Sequence, residues 1–219
     1  YLSPRGSDNF EISMKLSLEG IGALLGRESE YTRIARVVPG GPADKDGRLQ
    51  AGDRVVSVGQ GAEGRMVDVV GWRVDDVVDL IRGPKDTVVR LEGLPDDVGV
   101  EGPSNLIDIV RGEVKLEEQA ASSRVIEVPQ DGGEPLKVGV IDLPVFYLDF
   151  NGRARNLPDY RSSTRDVARL IEELKAEEVE GLVVDLRNNG GGSLLEATTL
   201  TGLFIDEGPV VQVRDGSGR

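Results

Sequence analysis

Apolar residues recur at helical spacing in two stretches of this sequence. In both, valine, leucine or isoleucine occupies positions i, i+3, i+4 and i+7, which places these side chains on one face of a helix. The first series covers residues 74–81 and is followed by Gly83-Pro84, a helix-stop signal. The second covers residues 167–174 behind the N-cap candidates at 162–164, and it predicts a helix running to about Ala176.

Short apolar runs separated by turn residues predict strands in the first half of the chain. The runs at 21–25 and 32–38 flank a charged loop at 27–30 and indicate a hairpin. The other elements predicted in this half are strands at 54–58, 87–91 and 106–110 and one helical turn at 43–46, ended by Gly47. Residues 1–14 are polar and carry only a turn signal at Ser3-Pro4, so no element is predicted there.

In the second half, predicted strands alternate with helices. Apolar runs at 125–128 and 138–143 flank the turn residues 130–133 and predict a second hairpin, whereas 146–158 has an irregular pattern. Beyond the helix that ends near Ala176, the predicted elements are a strand at 182–184, a helix at 194–203 and a strand at 210–213. This order indicates a right-handed crossover between parallel strands, in a domain that we expect to continue past Arg219.

The strand at 182–184 leads into a glycine-rich turn, Gly190-Gly191-Gly192. Glycines leave backbone N–H groups bare at the start of the following helix, where partial positive charge favours an anion. The turn therefore fits an oxyanion hole or a phosphate cradle, and a connection without a ligand is the alternative. A salt bridge between Asp185 and Arg187 is predicted to brace the turn, and the alternative is that the two residues only end the strand. Asn188 and Asn189 are interpreted as turn residues, of a type that tolerates a left-handed backbone.

Composition limits the chemistry that such a turn can serve. The 219 residues include no cysteine and no histidine, so a Ser-His-Asp triad, a thiol nucleophile, a disulfide and a histidine-ligated metal are excluded within this stretch. Serine or threonine activated by lysine, or a carboxylate pair, remains. The formal net charge of −13 disfavours nucleic acid and anionic membrane surfaces as partners.

Residues 16–94 resemble a PDZ domain of the bacterial protease-associated kind. The matching segments are EGIGAL at 19–24, VPGGPA at 38–43 and QAGDRVVSVG at 50–59. In such a domain a glycine loop binds a C-terminal carboxylate, and the edge strand after it accepts the peptide. The substrate-binding residues implied by the resemblance are Gly20, Ile21, Gly22, Ala23, Leu24, Val74 and Val78. A place in the core is the alternative for Val74 and Val78, and it is the expectation for Val77 and Ile81.

A second resemblance joins both halves of the chain. YLSP at 1–4, the PDZ segments, residues 138–144 and VVDLRNNGGG at 183–192 occur in the same order in the carboxyl-terminal processing (tail-specific) serine proteases. GWR at 71–73 and GLFI at 202–205 are similar to the periplasmic tail-specific branch.

This resemblance implies an α+β fold. A PDZ-type, partly open β-barrel with helices would be followed by an incomplete α/β protease domain with the crotonase/ClpP-like strand-helix repeat. The implied domains are an N-terminal segment at 1–15, a PDZ domain at 16–110 and a partial protease domain at 111–219.

Members of this family use a Ser-Lys dyad, in which a buried neutral lysine takes the serine proton. The family places both residues downstream of this segment, so we expect the fragment itself to be inactive. Ser193 is predicted to cap the helix that follows the turn. Many relatives carry proline, which has no N–H, at the position of Gly190. Gly191 and Gly192 are therefore the candidate oxyanion-hole residues.

The function implied is a serine endopeptidase that recognises apolar free C-termini through its PDZ domain and cleaves with the downstream dyad. The implied partners are protein substrates with apolar C-terminal tails, and an adaptor protein is a further candidate. No cofactor, metal or nucleic acid is implied. The expected location is the periplasm or the outer face of the bacterial inner membrane, with which a cysteine-free chain is compatible.

Two alternatives remain at this point. One is a non-catalytic PDZ scaffold or adaptor that binds protein C-termini. The other is an acyl-CoA enzyme of the crotonase type, which also builds an oxyanion hole at a glycine turn and against which the PDZ segments argue.

Overall fold

A computed structural model describes residues 3–99, 102–212 and 214. The helices are α1 (Pro4–Lys15), α2 (Pro42–Asp46), α3 (Val74–Ile81), α4 (Phe150–Ala154), α5 (Ser163–Ala176) and α6 (Leu194–Thr201), with a short 3₁₀ helix at Glu117–Gln119. The strands are β1 (Ser17–Gly20), β2 (Ala23–Glu28), β3 (Tyr31–Val37), β4 (Arg54–Gln60), β5 (Val67–Asp68), β6 (Val88–Leu94), β7 (Asn105–Val110), β8 (Gly112–Lys115), β9 (Ser122–Val128), β10 (Leu136–Asp142) and β11 (Gly181–Asp185).

The chain divides into two compact units. One is Ser17–Lys115, and the other combines the N-terminal helix with the chain from Leu116 onwards. None of the helices in the described ranges has the length and apolar character needed to cross a membrane.

The Ser17–Lys115 unit is built on an antiparallel sheet in the order β2-β3-β4-β6-β7, with β5 beside β4. Its first and last strands, β1 and β8, pair with each other in a separate two-stranded ribbon. The predicted hairpin forms between β2 and β3, and the predicted helical turn ends at Gly47 with φ +76°. Val77 and Ile81 of α3 are buried in the core of this unit, as predicted.

The other unit contains a three-stranded sheet in the order β11-β10-β9. β9 and β10 form the predicted hairpin, and β10 runs parallel to β11 with Val140 beside Val183. The connection between the parallel strands contains α4 and the longer α5, whose buried residues include Val167, Leu170 and Leu174. The strand, helix, strand prediction is therefore confirmed.

Four local features differ from the sequence-based expectations. Ser3-Pro4 begins helix α1, in which the Ser3 hydroxyl accepts from the N–H of Gly6 at 3.2 Å and proline occupies the first turn. The 146–158 stretch contains α4, and the stretch just after β7 forms β8. Residues 210–212 form no strand. Tyr1 and Leu2 of the YLSP motif and Val213 of the last predicted strand lie outside the described residues.

Candidate functional sites

In the loop between β1 and β2, two backbone carbonyls are held by hydrogen bonds from other parts of the chain. The carbonyl oxygens of Ile21 and Gly22 accept from the N–H groups of Ala43 and Val38, both at 2.8 Å. Among the residues that the structure describes, no acceptor is found for the N–H groups of Ile21 and Gly22 themselves. Gly22 has φ +77°, and a Cβ there would lie 3.3 Å from the Cα of Gly41, so only glycine fits this position without strain. The loop thus combines fixed carbonyls with uncommitted donors.

The other predicted binding residues lie on the elements around this loop. Gly20 ends β1 opposite Gly112, and Ala23 begins β2 opposite Val37. Leu24 is 54% exposed, whereas Ile21 is only 2% exposed and its side chain belongs to the core. On α3, Val74 and Val78 are half-buried.

β2 lies at the edge of its sheet, where it pairs with β3. Helix α3 contacts β2 and runs along it in a defined direction. Its C-terminal end is near the loop, because Arg82 Cγ lies 3.9 Å from the position a Gly20 Cβ would take. Its N-terminal end is near the β2–β3 turn, where the N–H of Gly71 donates to the Glu30 carbonyl at 2.7 Å. Edge strand β2, helix α3 and the loop are therefore neighbours, and we call the surface between them the PDZ groove.

The predicted brace of the glycine turn in the other unit is confirmed. Arg187 Nη2 and Nε donate to the Asp185 carboxylate at 2.6 and 3.1 Å, and the Arg187 N–H donates to Asp185 Oδ1 at 3.0 Å. These hydrogen bonds to the ionised form lower the pKa of Asp185 to about 2.

Asn188 lies in the turn, as interpreted, although neither asparagine adopts the positive φ that such residues tolerate. Asn189 acts through its side chain instead. Its Nδ2 donates to the Leu143 carbonyl at 2.8 Å, and its Oδ1 accepts from the Gly191 N–H at 2.8 Å. The amide thereby ties the turn to the segment that follows β10.

The three glycines of the turn differ in what their N–H groups do. That of Gly190 donates to the Pro144 carbonyl at 3.0 Å, and that of Gly191 is taken by Asn189. Within the described part of the chain, the N–H of Gly192 has no acceptor. Gly192 has φ +132°, and a Cβ there would overlap the Phe146 carbonyl oxygen, so the close backbone approach requires glycine. Of the two candidate oxyanion donors, Gly192 is the one left uncommitted.

Ser193 caps α6, as predicted. Its hydroxyl accepts from the N–H of Glu196 at 3.4 Å, and the residue is buried. Three residues on, Glu196 is only 4% exposed and was not predicted as a site residue. The Ser-x-x-Glu spacing is typical of a capping box, in which the glutamate would bond back to its own helix start.

The Glu196 carboxylate instead receives hydrogen bonds from the start of α5. Its Oε2 accepts from the Ser162 and Ser163 hydroxyls and from the Thr164 N–H, at 2.7, 3.0 and 2.8 Å. Glu196 therefore links the helix after the glycine turn to the crossover helix α5.

A second unpredicted polar cluster surrounds Tyr147, which is fully buried. Its hydroxyl donates to Asp166 Oδ2 at 2.6 Å and accepts from the Ala121 N–H at 3.2 Å. Burial, with the hydrogen bond to Asp166, raises the pKa of Tyr147. Arg161 lies 5.9 Å from the ring centroid and 3.4 Å from the Asp166 carboxylate. No sequence signal pointed to these residues, since their partners come from different elements.

Comparison with protein families finds a match in each half of the chain. Residues 9–92 match the PDZ domain family, and residues 137–219 match peptidase family S41. The chain is 43% identical over its whole length to the Tail-specific protease of Haemophilus influenzae. The chain therefore contains a PDZ domain segment and a peptidase family S41 segment. The resemblance seen in the sequence and the PDZ-plus-α/β fold class are thereby confirmed.

A second curated relative has a lower sequence identity to the chain. It is 27% identical over its whole length to the Carboxy-terminal processing protease CtpA of Bacillus subtilis. The alignments cover 28% of the Haemophilus protein and 40% of the Bacillus protein, so the chain spans less than half of either relative.

Two solved structures are also similar to the chain. The PDZ domain of a carboxy-terminal protease from Vibrio cholerae, solved with a peptide, is 50% identical with a TM-score of 0.44, over 46% of this chain and all of that one. The photosystem II D1 C-terminal processing protease is 23% identical with a TM-score of 0.44, over 94% of this chain and 49% of that one.

Proposed function

We propose that the protein containing this chain is a serine endopeptidase that captures an apolar free C-terminus in the PDZ groove. A Ser-Lys dyad beyond Arg219 then cleaves the captured protein. The observation that carries the proposal is the pair of N–H groups at Ile21 and Gly22, which have no acceptor within the described residues and stand at the head of edge strand β2. A carboxylate accepts such donors, and its peptide can extend the sheet.

The apolar preference is supported by the groove walls. Leu24 on β2 is exposed, and Val74 and Val78 on α3 are half-buried, so all three have apolar surface left to cover. Covering such surface with the last side chain of a peptide is favourable at about 25 cal/mol per Å². Gly20 and Ala23, at the two ends of the loop, fix its span between β1 and β2.

The glycine turn is the second part of the proposal. We assign the oxyanion contact to the N–H of Gly192, with Gly191 as the residue that orients it, since the Gly191 N–H is already donated to Asn189. A preorganised backbone donor of this kind stabilises the negative oxygen of a tetrahedral intermediate. The nucleophile and base are assigned to the rest of the protein, because Ser193 is buried and its hydroxyl is used as a helix cap.

The location proposed for the whole protein is the periplasm or the outer face of the bacterial inner membrane, as the resemblance to the tail-specific branch implies. Its proposed partners are proteins with apolar C-terminal tails, with an adaptor protein as a further candidate.

Fluorescence polarisation of the 219-residue chain with a labelled apolar-tailed peptide tests the capture step. The matched control is the same peptide amidated at its C-terminus. The expected result is micromolar binding of the free acid, equivalent to about −8 kcal/mol, that is lost on amidation. Equal binding of the two peptides, or none, would contradict the proposal.

A cleavage assay tests the assignment of the dyad. The chain alone should not cleave an apolar-tailed protein. Cleavage that disappears on Ser193→Ala would show that the nucleophile lies inside this segment and would overturn that assignment.

A further inference from the structure

Arg111 follows β7 and is a buried cation, only 3% exposed. Its guanidinium donates to five oxygens, and every one of these acceptors is neutral. They are the Ile81 carbonyl at 2.8 Å, the Gln60 side-chain oxygen at 2.6 Å, the Leu80 carbonyl at 3.1 Å, the Thr87 hydroxyl at 3.0 Å and the Val88 carbonyl at 3.2 Å. Burying a charge without a carboxylate partner is costly, so this geometry calls for a specific explanation.

The bonds from Arg111 converge on the C-terminal end of helix α3. The last carbonyls of a helix have no partner within it, and a left-handed glycine commonly completes them. Here the C-cap Arg82 is extended, with ψ 158°, and Gly83 does not have positive φ. The Leu80 and Ile81 carbonyls are satisfied by Arg111 instead, and Gln60 Nε2 adds a bond to Leu80 at 2.7 Å. The positive charge also faces the negative end of the helix dipole.

Gly83 makes room for this arrangement. A Cβ at Gly83 would lie 2.9 Å from both Cζ and Nε of Arg111, closer than atoms in contact can approach. Gly83, part of the predicted helix-stop signal, therefore leaves space for the Arg111 guanidinium and does not act as a left-handed helix cap. Gly83→Ala would displace Arg111 while keeping its charge.

The same helix forms one wall of the PDZ groove. The opposite wall, β2, is held by β3, and the loop before it is held by Ala43 and Val38. The end of α3 near the loop depends on Arg111 and Gln60. We propose that Arg111 is a positioning residue that sets the width of the pocket for the last side chain of the bound peptide.

This inference rests on the proposed capture of C-termini. It assigns recognition of the free carboxylate and recognition of the terminal side chain to different residues. The N–H groups of Ile21 and Gly22 would bind the carboxylate. Arg111 would position α3 and so determine which terminal side chain fits the pocket. The two properties can be measured separately on the same chain.

The experiment uses three peptides of one sequence that differ only at the C-terminus: leucine acid, alanine acid and leucine amide. Their affinities are measured for the 219-residue chain and for its Arg111→Met variant. Arg54→Met is the matched control, since Arg54 also donates to backbone carbonyls, those of Pro95 and Val98. Arg54 lies at the start of β4, at the opposite end of that strand from Gln60. If a variant is partly unfolded, its affinities for the leucine acid and the alanine acid fall by the same factor. The ratio of the two affinities therefore depends only on the pocket for the last side chain.

The wild-type chain and Arg54→Met should prefer the leucine acid to the alanine acid by about tenfold, the order expected for a pocket that buries a larger apolar side chain. In Arg111→Met this ratio should fall below about threefold, while the preference for acid over amide persists. If Arg111→Met does not fold, Gly83→Ala should show the same loss in weaker form.

An unchanged leucine-to-alanine ratio in the folded variants, with acid still preferred to amide, would overturn the role of Arg111 alone. A wild-type chain without leucine preference would do the same. Equal binding of acid and amide by the wild-type chain would instead overturn the proposed capture of C-termini.

Discussion

The side-chain oxygen of Asn189 accepts the backbone N–H of Gly191 at 2.8 Å. This bond removes Gly191 from the donors available to a ligand and leaves the N–H of its neighbour Gly192. Because the same amide also donates to the Leu143 carbonyl, Asn189 fixes the turn from both sides.

Asn189→Asp separates the two bonds of this amide. Aspartate can still accept from Gly191, but it has no donor for the Leu143 carbonyl. We expect a loss of about 1–3 kcal/mol in the free energy of unfolding, measured by urea denaturation. Asn188→Asp is the matched control, since Asn188 is exposed and the change of charge is the same. Equal losses in the two variants would show that the Leu143 bond contributes nothing.

Glu196→Ala should destabilise the unit that contains α5 and α6. The change leaves the Ser162 and Ser163 hydroxyls and the Thr164 N–H without their buried acceptor. Unsatisfied buried donors cost about 1–3 kcal/mol each, and the hydroxyls can partly re-orient, so we expect on the order of 3 kcal/mol.

The control for this change is Glu173→Ala. Glu173 is exposed on α5 and pairs with Arg169 at 2.6 Å, an interaction worth at most about 1 kcal/mol. Thermal unfolding that ranked the two variants equally would contradict the structural role of Glu196.

Tyr147→Phe removes one oxygen from a fully buried cluster. The Ala121 N–H loses its acceptor and Asp166 loses a donor, so we expect a loss of about 1–3 kcal/mol. Tyr160→Phe is expected to change stability by less than about 0.5 kcal/mol, because the ring that Arg165 covers at 4.5 Å is kept. Urea denaturation of the two variants side by side measures the difference. If Tyr147→Phe left the free energy of unfolding unchanged, the hydrogen bonds of the Tyr147 hydroxyl would not contribute to stability.

The Asp185–Arg187 pair predicts a pH dependence of stability. The lowered pKa of Asp185 means that the folded state prefers the ionised carboxylate. The stabilisation is therefore present above the unfolded-state pKa near 4 and is lost as pH falls toward about 2.

Carbon-13 NMR titration of the Asp185 carboxyl tests the cause of this shift. In Arg187→Gln, the pKa should rise from about 2 toward 3.8 without reaching it, because the backbone N–H of residue 187 and the more distant Arg124 still lower it. A pKa that stayed near 2 in the variant would contradict the assignment to Arg187.

Local sequence patterns predicted the elements of this fold better than its polar contacts. The i, i+3, i+4, i+7 spacing located α3, and the apolar runs around charged loops located both hairpins. Helix α1 was missed because Ser3-Pro4 signals a turn and a helix start equally well.

The contacts that fix the two sites join residues distant in sequence. The Asn189 amide bonds to Leu143, and Glu196 bonds to residues at the start of α5. Arg111 reaches back across the sheet to Gln60 and α3. Such pairs are set by tertiary packing, for which spacing along the chain gives no signal. The motif Gly190-Gly191-Gly192 located the turn, but only the hydrogen bonds around it distinguished Gly192 from its neighbours.

The most direct test of the account is ¹H–¹⁵N NMR of the 219-residue chain titrated with an apolar-tailed peptide. We expect the amide resonances of Ile21 and Gly22 to move downfield and saturate with the free acid, because their N–H groups gain a charged acceptor. The amidated peptide should leave both resonances in place. Unchanged Ile21 and Gly22 resonances with the free acid, or equal shifts with the amide, would show that this loop does not receive a C-terminal carboxylate.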